Sequence, residues 1–413
     1  MKRLFIIASL AILAVGCQKT EIQNEVQTPI GFSTETGKLT RAIADGQTTG
    51  ATTGGYLLDQ PFGVYAYGWQ KESDGSQVTD GAAGALVMDN LEVTYTPANN
   101  QANPATPAKW AVNSSTKYYW PNDPRTTLNF YAFSPYIQRP DNTATTEVNE
   151  ASHAAAKAGV ADKVMAVTSL THSEDAGLQF TGYVHSNMYV DFMEATPVLN
   201  ATYSDSNGTA TAASSAGVVP MTFNHKMTQV VFNVNTKEPY PGITFTIQSI
   251  ELKNVRSQAD YGQVTENQAT VTKWKNQVKE ATPRVYTIFP ATGEREYALS
   301  STGNTILTTT GVTMIPQDMV KVTGDVVAGT DTYKSEANSQ MFVITYKVEG
   351  TGVATETIVK HVPFYAYSAN SVVNWEMNKK ISYTVTIGLN EITFEPSVAE
   401  WTPTEGETYD FQQ

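Results

Sequence analysis

Cysteine is nearly absent from this chain, since Cys17 is the only one among 413 residues. A single cysteine excludes an intramolecular disulfide framework, and it excludes zinc or redox sites of the CxxC type. Histidine is also scarce, and no two of the five form an HxH or HxxxH pair that could begin a metal site; they are His153, His172, His185, His225 and His361. We therefore predict that the protein holds no metal ion and no other cofactor.

Sequence motifs for catalysis are missing as well. The chain has no GxSxG, GxxxxGKS/T or GxGxxG pattern. The stretch THSEDAG (171–177) contains the His-x-Glu of zinc deaminases, but those enzymes also need a PCxxC motif, so we interpret the stretch as a solvated turn. Among 40 carboxylates, no pair can be singled out as the acid and base of a glycosidase. We predict that the protein is not an enzyme.

Positive charge and long apolar runs are both in short supply. The 27 Lys and Arg stand against 40 Asp and Glu, which gives a formal net charge of −13 at pH 7. No basic block could form a nucleic-acid footprint, and an acidic surface repels nucleic acid, so we predict no such partner. The only long apolar run, residues 4–15, is shorter than the roughly 20 residues that span a bilayer as a helix.

That apolar run belongs to an export signal. Lys2 and Arg3 precede it, small residues follow it, and Cys17 ends it, which is the three-part pattern of a secretory signal. The residues AVGC resemble a bacterial lipobox, in which the cysteine is acylated and becomes the first mature residue; Ala14 stands where leucine is usual. We predict a signal peptide at 1–16, lipidation of Cys17, and a tether over 17–29 that holds the exported protein to a membrane.

The remaining chain has a β-type composition and β-type periodicity. Apolar residues alternate in KISYTVTIGL (380–389) and QMFVITYKVEG (340–350), and the alternation shifts phase within GITFTIQSIELKNV (242–255), which indicates a bulge. Further strands are predicted at PFGVYAYGW, TTLNFYAFSPY, VVFNVN and RVYTIFP, and one helix-like segment lies at 150–164. We predict an all-β protein of two tandem β-sandwich domains of Greek-key type, at 30–217 and 218–413.

Two stretches offer candidate functional residues. Trp110, Tyr118 and Trp120 could form an aromatic platform for a sugar ring, although a strand packed on the core is the interpretation that we favour. Arg41 is one of seven arginines, and it lies between an N-terminal strand that begins at PIGFST and the rest of the chain. The bond between Arg41 and Ala42 would be a good target for an Arg-specific protease if this loop is exposed.

The chain resembles the fimbrillin family of Bacteroidales lipoproteins, which are the subunits of type V pili. The resemblance depends on the order of several short segments: the lipobox at Cys17, IGFST…KLTRA (30–42), YYWPNDPRTTLNFYAFSPY (118–136), ADKVMAVTS (161–169), MTFNHKMTQVVFNV (221–234), MIPQ (314–317) and WEMNKKISYTVTIGLNEITFEPSVAEW (375–401). The NKK at 378–380 stands where the family often has a Pro-Gly or Gly-Lys turn.

The resemblance implies transthyretin-like sandwiches and a role as a structural or adhesive subunit of a cell-surface fimbria. It implies that a protease removes the first strand (30–41) by cutting after an arginine, here Arg41, and that a strand of another fimbrial subunit fills the vacated groove. Tyr409 and Phe411 alternate near the C-terminus and could belong to such a donor strand, or the terminus could be frayed. Shaft, anchor and tip roles stay open, as does a host or bacterial surface ligand. The alternative is a surface glycan-binding lipoprotein of a polysaccharide-uptake system; a secreted glycosidase is the third hypothesis.

Overall fold

The structure is a computed structural model that describes the greater part of residues 28–400. The described residues are 28–36, 61–71, 84–96, 109–123, 125–139, 167–186, 190–204, 217–237, 239–266, 268–278, 285–289, 297–299, 305–306, 312–322, 339–365, 372–388 and 392–400, with single residues at 99, 101, 104, 165 and 188. The helix-like segment predicted at 150–164 lies outside them.

All regular structure in the described residues is β-strand, which confirms the predicted all-β class. The first ten strands are β1 (Gly31–Thr36), β2 (Phe62–Gln70), β3 (Ala85–Thr96), β4 (Lys109–Val112), β5 (Thr126–Ser134), β6 (Ser169–Ser173), β7 (Gly177–Val184), β8 (Met193–Ala195), β9 (Val198–Ala201) and β10 (Val218–His225). The others are β11 (Thr228–Thr236), β12 (Ile243–Lys253), β13 (Gln258–Glu266), β14 (Ala269–Val278), β15 (Tyr286–Phe289), β16 (Tyr297–Ala298), β17 (Thr305–Ile306), β18 (Val312–Met314), β19 (Gln317–Asp318), β20 (Met341–Gly350), β21 (Val353–Pro363), β22 (Asn374–Trp375), β23 (Lys379–Ile387) and β24 (Ile392–Glu400).

Eight strands of the N-terminal half form one large sheet whose pairings close on themselves. The order is β2-β3-β4-β1-β10-β8-β5-β9, and β2 also pairs with β5. Its inward side chains make one core, to which β2 contributes Phe62, Val64 and Ala66 and β5 contributes Leu128 and Phe130. A second core, rich in aromatic rings, lies between the other face of this sheet and the four-stranded sheet β14-β13-β7-β6.

The C-terminal half is built from two larger sheets that share a core. One contains β17, β11, β23 and β24 with β18, and the other contains β15, β12, β20 and β21 with β16. A single cluster of buried residues draws on both, so the two sheets pack face to face as in a β-sandwich. β19 and β22 form a separate two-stranded ladder.

The alternation read from the sequence decides which residues enter this core. In β23 the side chains of Ile381, Tyr383 and Val385 are buried, while those of the residues between them are partly exposed. In β12 the pairing with β20 shifts register between Ile247 and Ser249, which confirms the predicted bulge. The extra residue keeps both ends of this long strand facing the core.

Two pairings bear on the predicted boundary between residues 217 and 218. β10, which starts at Val218, pairs with β1 and β8 inside the N-terminal sheet. β13 pairs with β7, so strands from both halves share the four-stranded sheet. The boundary and the tandem transthyretin-like arrangement stay predictions, and these pairings favour placing the end of the first unit after His225.

Candidate functional site

The first strand, β1, lies inside the large sheet between β10 and β4. It pairs in parallel with β10 over six consecutive residues, from Gly31 opposite Val218 to Thr36 opposite Phe223. Its pairing with β4 is limited to one position, Phe32 opposite Trp110. Both neighbours lie far along the chain from β1. β1 therefore belongs to no hairpin, and no short loop joins it to either strand beside it.

The residues just before β1 are held by the segment 118–120. The backbone N–H of Ile30 donates to the carbonyl of Tyr118 at 3.0 Å, and the N–H of Trp120 donates to the carbonyl of Thr28 at 3.1 Å. This segment therefore continues the wall that β4 begins. We call the space that β1 fills, between β10 on one side and β4 with residues 118–120 on the other, the β1 slot.

A glycine closes the end of the slot where β10 begins. The carbonyl of Gly217 accepts hydrogen bonds from the N–H of Gly31 at 3.0 Å and from Nε1 of Trp120 at 3.1 Å. Gly217 has a φ of +80°, and a Cβ there would lie 3.1 Å from the ring of Tyr203. Only glycine combines this left-handed conformation with so close an approach.

The side chains of β1 alternate between the core and the surface. Ile30, Phe32 and Thr34 are buried, with exposed fractions of 6%, 4% and 8%, while Ser33 between them is partly exposed. The ring of Phe32 meets Phe62 and Phe130 edge-on, with centroids 5.8 and 6.0 Å apart. Taking β1 away would therefore expose an apolar, largely aromatic groove and the hydrogen-bonding groups of β10 along it.

The candidate sugar platform is not an open surface. Trp110 is 5% exposed and Trp120 is 3% exposed, because both rings pack in the core of the N-terminal sheet; Tyr118 is partly buried against the same core. A sugar ring stacks only on an accessible aromatic face, so these three residues do not form a platform. They are instead part of the slot, a role that the sequence analysis missed.

The other predicted site residues lie outside the described part of the chain. These are the lipidation residue Cys17, the cleavage pair Arg41 and Ala42, and the candidate donor residues Tyr409 and Phe411. Their roles stay predictions. Among the described residues, no group of three or more His, Cys, Asp or Glu side chains is placed to hold a metal ion, and no helix there is long and apolar enough to cross a membrane.

The stretch predicted as a solvated turn is a turn with exposed residues such as Asp175, but the side chain of Glu174 within it is docked on neighbouring strands. It joins β6 to β7, and the carboxylate of Glu174 accepts hydrogen bonds from Trp69 Nε1 at 2.7 Å, Asn129 Nδ2 at 2.7 Å and the Tyr131 hydroxyl at 3.3 Å. Trp69 lies on β2, and the other two donors lie on β5. The turn therefore fastens the four-stranded sheet to the outer face of the large sheet.

His172 precedes this turn and is surrounded by tyrosines. Its ring stacks on Tyr65 with centroids 4.6 Å apart and an interplanar angle of 17°. The Tyr67 hydroxyl lies 3.0 Å from His172 Nδ1 and also donates to the His172 carbonyl at 3.0 Å. Burial lowers the pKa of His172 from 6.5 to about 4 and raises that of Tyr67 to about 12.

This burial predicts an acid-dependent loss of stability. Between pH 6.5 and about 4 the unfolded chain binds a proton at His172 that the folded chain does not, so the free energy of unfolding should fall as the pH is lowered through that window. A pKa of about 4 in the folded chain, against 6.5 in the unfolded chain, corresponds to about 3 kcal/mol. Urea unfolding at several pH values measures it. The variant His172→Asn keeps a polar side chain that can pair with the Tyr67 hydroxyl but cannot titrate, so its profile should be flatter by that amount; equal slopes in both proteins would contradict the prediction.

Comparison with known proteins gives a family match. A family model described as fimbrillin-like matches residues 40–401. Among solved structures, a fimbrial protein from Bacteroides vulgatus ATCC 8482 is 16% identical, with 91% of this chain and 99% of that chain covered and a TM-score of 0.46. The tip fimbrial protein Mfa3 from Porphyromonas gingivalis, with a C-terminal truncation, is 11% identical, with 84% and 96% covered and a TM-score of 0.27. No curated protein sequence matches the chain.

Proposed function

This chain belongs to the fimbrillin-like family, and from that premise we propose that it is a structural or adhesive subunit of a cell-surface fimbria that assembles by strand exchange. Family membership supports the broader role of a fimbrial or cell-adhesion subunit at the cell surface. No catalytic role is proposed. The observation that carries the assembly mechanism is the β1 slot, because a single short strand without a hairpin partner fills it.

In the precursor, β1 occupies its own slot and keeps the subunit from joining another. Cleavage after Arg41 would separate β1 from the body of the chain, since β1 ends five residues earlier at Thr36. The strand is then held only by hydrogen bonds and by the contacts of Ile30, Phe32 and Thr34. A competing strand can displace β1 once it is held in this way. Before the cut it cannot, because the intact chain keeps β1 at a high effective concentration beside its slot.

The arginines that the structure describes are poor alternative cleavage sites for the protease. Arg125 lies directly before β5, and cleavage needs several residues around the bond to leave regular structure. Arg139 precedes Pro140, whose ring restricts the backbone and carries no N–H. Arg256 donates its backbone N–H to Gln317 Oε1 at 2.8 Å and accepts from Gln317 Nε2 at 3.3 Å. We propose that Arg41 is the arginine that is cut.

A strand of another subunit would then fill the slot. Such β-strand addition draws affinity from main-chain hydrogen bonds and specificity from alternate side chains that enter pockets. The segment with Tyr409 and Phe411 is our candidate donor, because its two aromatic residues are spaced to face the same side of a strand.

Export as a lipoprotein fits this order of events. Acylation of Cys17 would hold the precursor at the outer membrane, since two acyl chains anchor a protein stably. Cleavage after Arg41 would remove the anchor together with β1. We therefore propose that Cys17 is a temporary tether for delivery, and that an uncut subunit stays attached to the membrane.

For the domains, we propose two tandem β-sandwich units of transthyretin-like type, predicted at 30–217 and 218–413, with β10 added to the first unit because of its pairings with β1 and β8. The core shared by the two C-terminal sheets supports the second unit. The alternative function is glycan binding for polysaccharide uptake. Its candidate residues Trp110 and Trp120 are buried and therefore cannot bind a sugar, and no other observation favours it.

Treatment with an Arg-specific protease tests the mechanism. We expect a first cut after Arg41 in the full chain, followed by polymers in size-exclusion chromatography and electron microscopy. The variant Arg41→Ala should resist this cut and stay monomeric, and Arg125→Ala should behave like the parent chain. A parent chain that is first cut elsewhere, or an Arg41→Ala variant that still polymerises, would refute the proposal.

A further inference from the structure

Phe32 differs from the other buried side chains of the β1 slot in size and shape. Ile30, just before β1, is β-branched, Phe32 is aromatic and Thr34 is small. Phe32 is the residue at which β1 meets both walls, since it pairs with Trp110 on β4 while β10 runs along its other side. Whatever strand occupies the slot must place some side chain there.

Aromatic rings from several strands line this position. Phe32 meets Phe62 of β2 and Phe130 of β5, each at an interplanar angle of 85°. Phe62 in turn contacts Trp110 of β4 at 5.3 Å and Phe223 of β10 at 5.4 Å between centroids. We call this set of rings, Phe62, Trp110, Phe130 and Phe223, the Phe32 subsite.

The two walls of the slot contribute differently to recognition. The pairing with β10 extends over six residues, and main-chain hydrogen bonds of this kind accept almost any sequence. The pairing with β4 occurs at Phe32 alone. Choice between strands must therefore come from side chains, and the ring-lined position of Phe32 can discriminate between them by shape.

We propose that the Phe32 subsite is the specificity-determining pocket for the strand that replaces β1, and that it selects a strand with an aromatic residue at this position. The matching strand runs parallel to β10, with an apolar or aromatic residue two positions before the aromatic one, as Tyr409 stands before Phe411 in our candidate donor, and without a large ring two positions after it. An aliphatic side chain leaves part of the subsite empty and loses the edge-on ring contacts. This inference rests on the proposed function, since it names the kind of partner that the slot accepts.

Peptide exchange with the full chain tests the inference. The protein is cut after Arg41, and its N-terminal segment, which carries a fluorophore, stays bound. Synthetic peptides of sequence TPIGFSTET (28–36) and its variants are then added, and the release of the labelled segment is measured. We expect Phe32→Tyr to bind within about threefold of the parent peptide, Phe32→Leu about tenfold more weakly and Phe32→Ala about a hundredfold more weakly. The matched control Ser33→Ala changes a partly exposed residue on the same strand and should bind like the parent.

The outcomes separate the two proposals. If the parent peptide exchanges and Phe32→Ala binds within threefold of it, the subsite does not discriminate and this inference fails, while strand exchange stands. If the parent peptide does not exchange at any concentration, the proposed strand exchange fails and the inference falls with it. A peptide Thr34→Phe gives a second check: it should bind at least tenfold more weakly, because a large ring does not fit where a buried threonine lies.

Discussion

Replacing Phe32 by alanine should lower the free energy of unfolding of the N-terminal sheet by about 3–5 kcal/mol, the usual cost of removing a fully buried phenylalanine. Phe32 is 4% exposed and its edge-on contacts with Phe62 and Phe130 are lost together with its buried area. Over most of its length β1 pairs with only one strand, β10. Few other interactions therefore hold β1 in place once the contacts of Phe32 are lost.

Urea unfolding and hydrogen exchange measure this effect at two levels. The described residues form three hydrophobic cores, so unfolding in more than one step is expected, and the step that involves β1 is the one that should shift. In hydrogen exchange, amides of β1 and β10 should lose protection in Phe32→Ala while those of β20 and β23 keep it. Ser33→Ala is the control and should change stability by less than about 0.5 kcal/mol. A shift below 1 kcal/mol for Phe32→Ala would mean that β1 is held mainly by its backbone.

The sequence predicted the strands of the C-terminal half well because their pattern is local. Alternation with a period of two residues reports which side chains face the core, and the buried Tyr383 and Val385 of β23 follow it. The bulge in β12 was also predictable, because an inserted residue shifts the phase of the pattern along the strand. No long-range information is needed for either.

The β1 slot could be predicted only in part. PIGFST suggests a strand, but its parallel pairing with β10 joins residues nearly two hundred positions apart, and no local pattern encodes such a partner. The stretch around Trp120 was ambiguous for the same reason. A buried tryptophan and a sugar-binding tryptophan have the same local sequence, and only the fold that surrounds the ring distinguishes them.

The turn at Glu174 illustrates a different limit of sequence reasoning. Charged and polar residues between two short strands suggest exposure, and most such turns are solvated. Here Trp69, Asn129 and Tyr131 satisfy the carboxylate, and all three belong to strands that the sequence places far from the turn. Polar residues that dock on a sheet therefore look identical in sequence to polar residues that face water.

A buried hydrogen bond between a histidine and an aspartate at the end of β10 should have the second large effect. Nδ1 of His225, the last residue of β10, lies 2.6 Å from Oδ2 of Asp191, and the two side chains are 3% and 2% exposed. His225 also pairs with Met193 of β8, and the next residue along, Lys226, donates its backbone N–H to the carbonyl of Phe192 at 2.8 Å. The pair therefore fixes the end of β10 against the chain that leads into β8.

Asp191→Ala should lower the free energy of unfolding by about 3–5 kcal/mol, because removing one member of a buried pair leaves the other without its charged or hydrogen-bonded partner. His225→Ala should cost a similar amount, and the double variant clearly less than the sum, since the second change removes a group that has already lost its partner. Asp191→Asn keeps an oxygen acceptor and should cost only about 1–2 kcal/mol. The control is Asp89→Ala, which breaks an ion pair with Arg139 whose side chains are both 44% exposed and which should cost less than about 1 kcal/mol. Urea unfolding of the parent and the five variants measures all of these. Additive losses from Asp191 and His225 would show that the buried pair does not act as a unit, and an equal loss at Asp89 would show that burial does not set the cost.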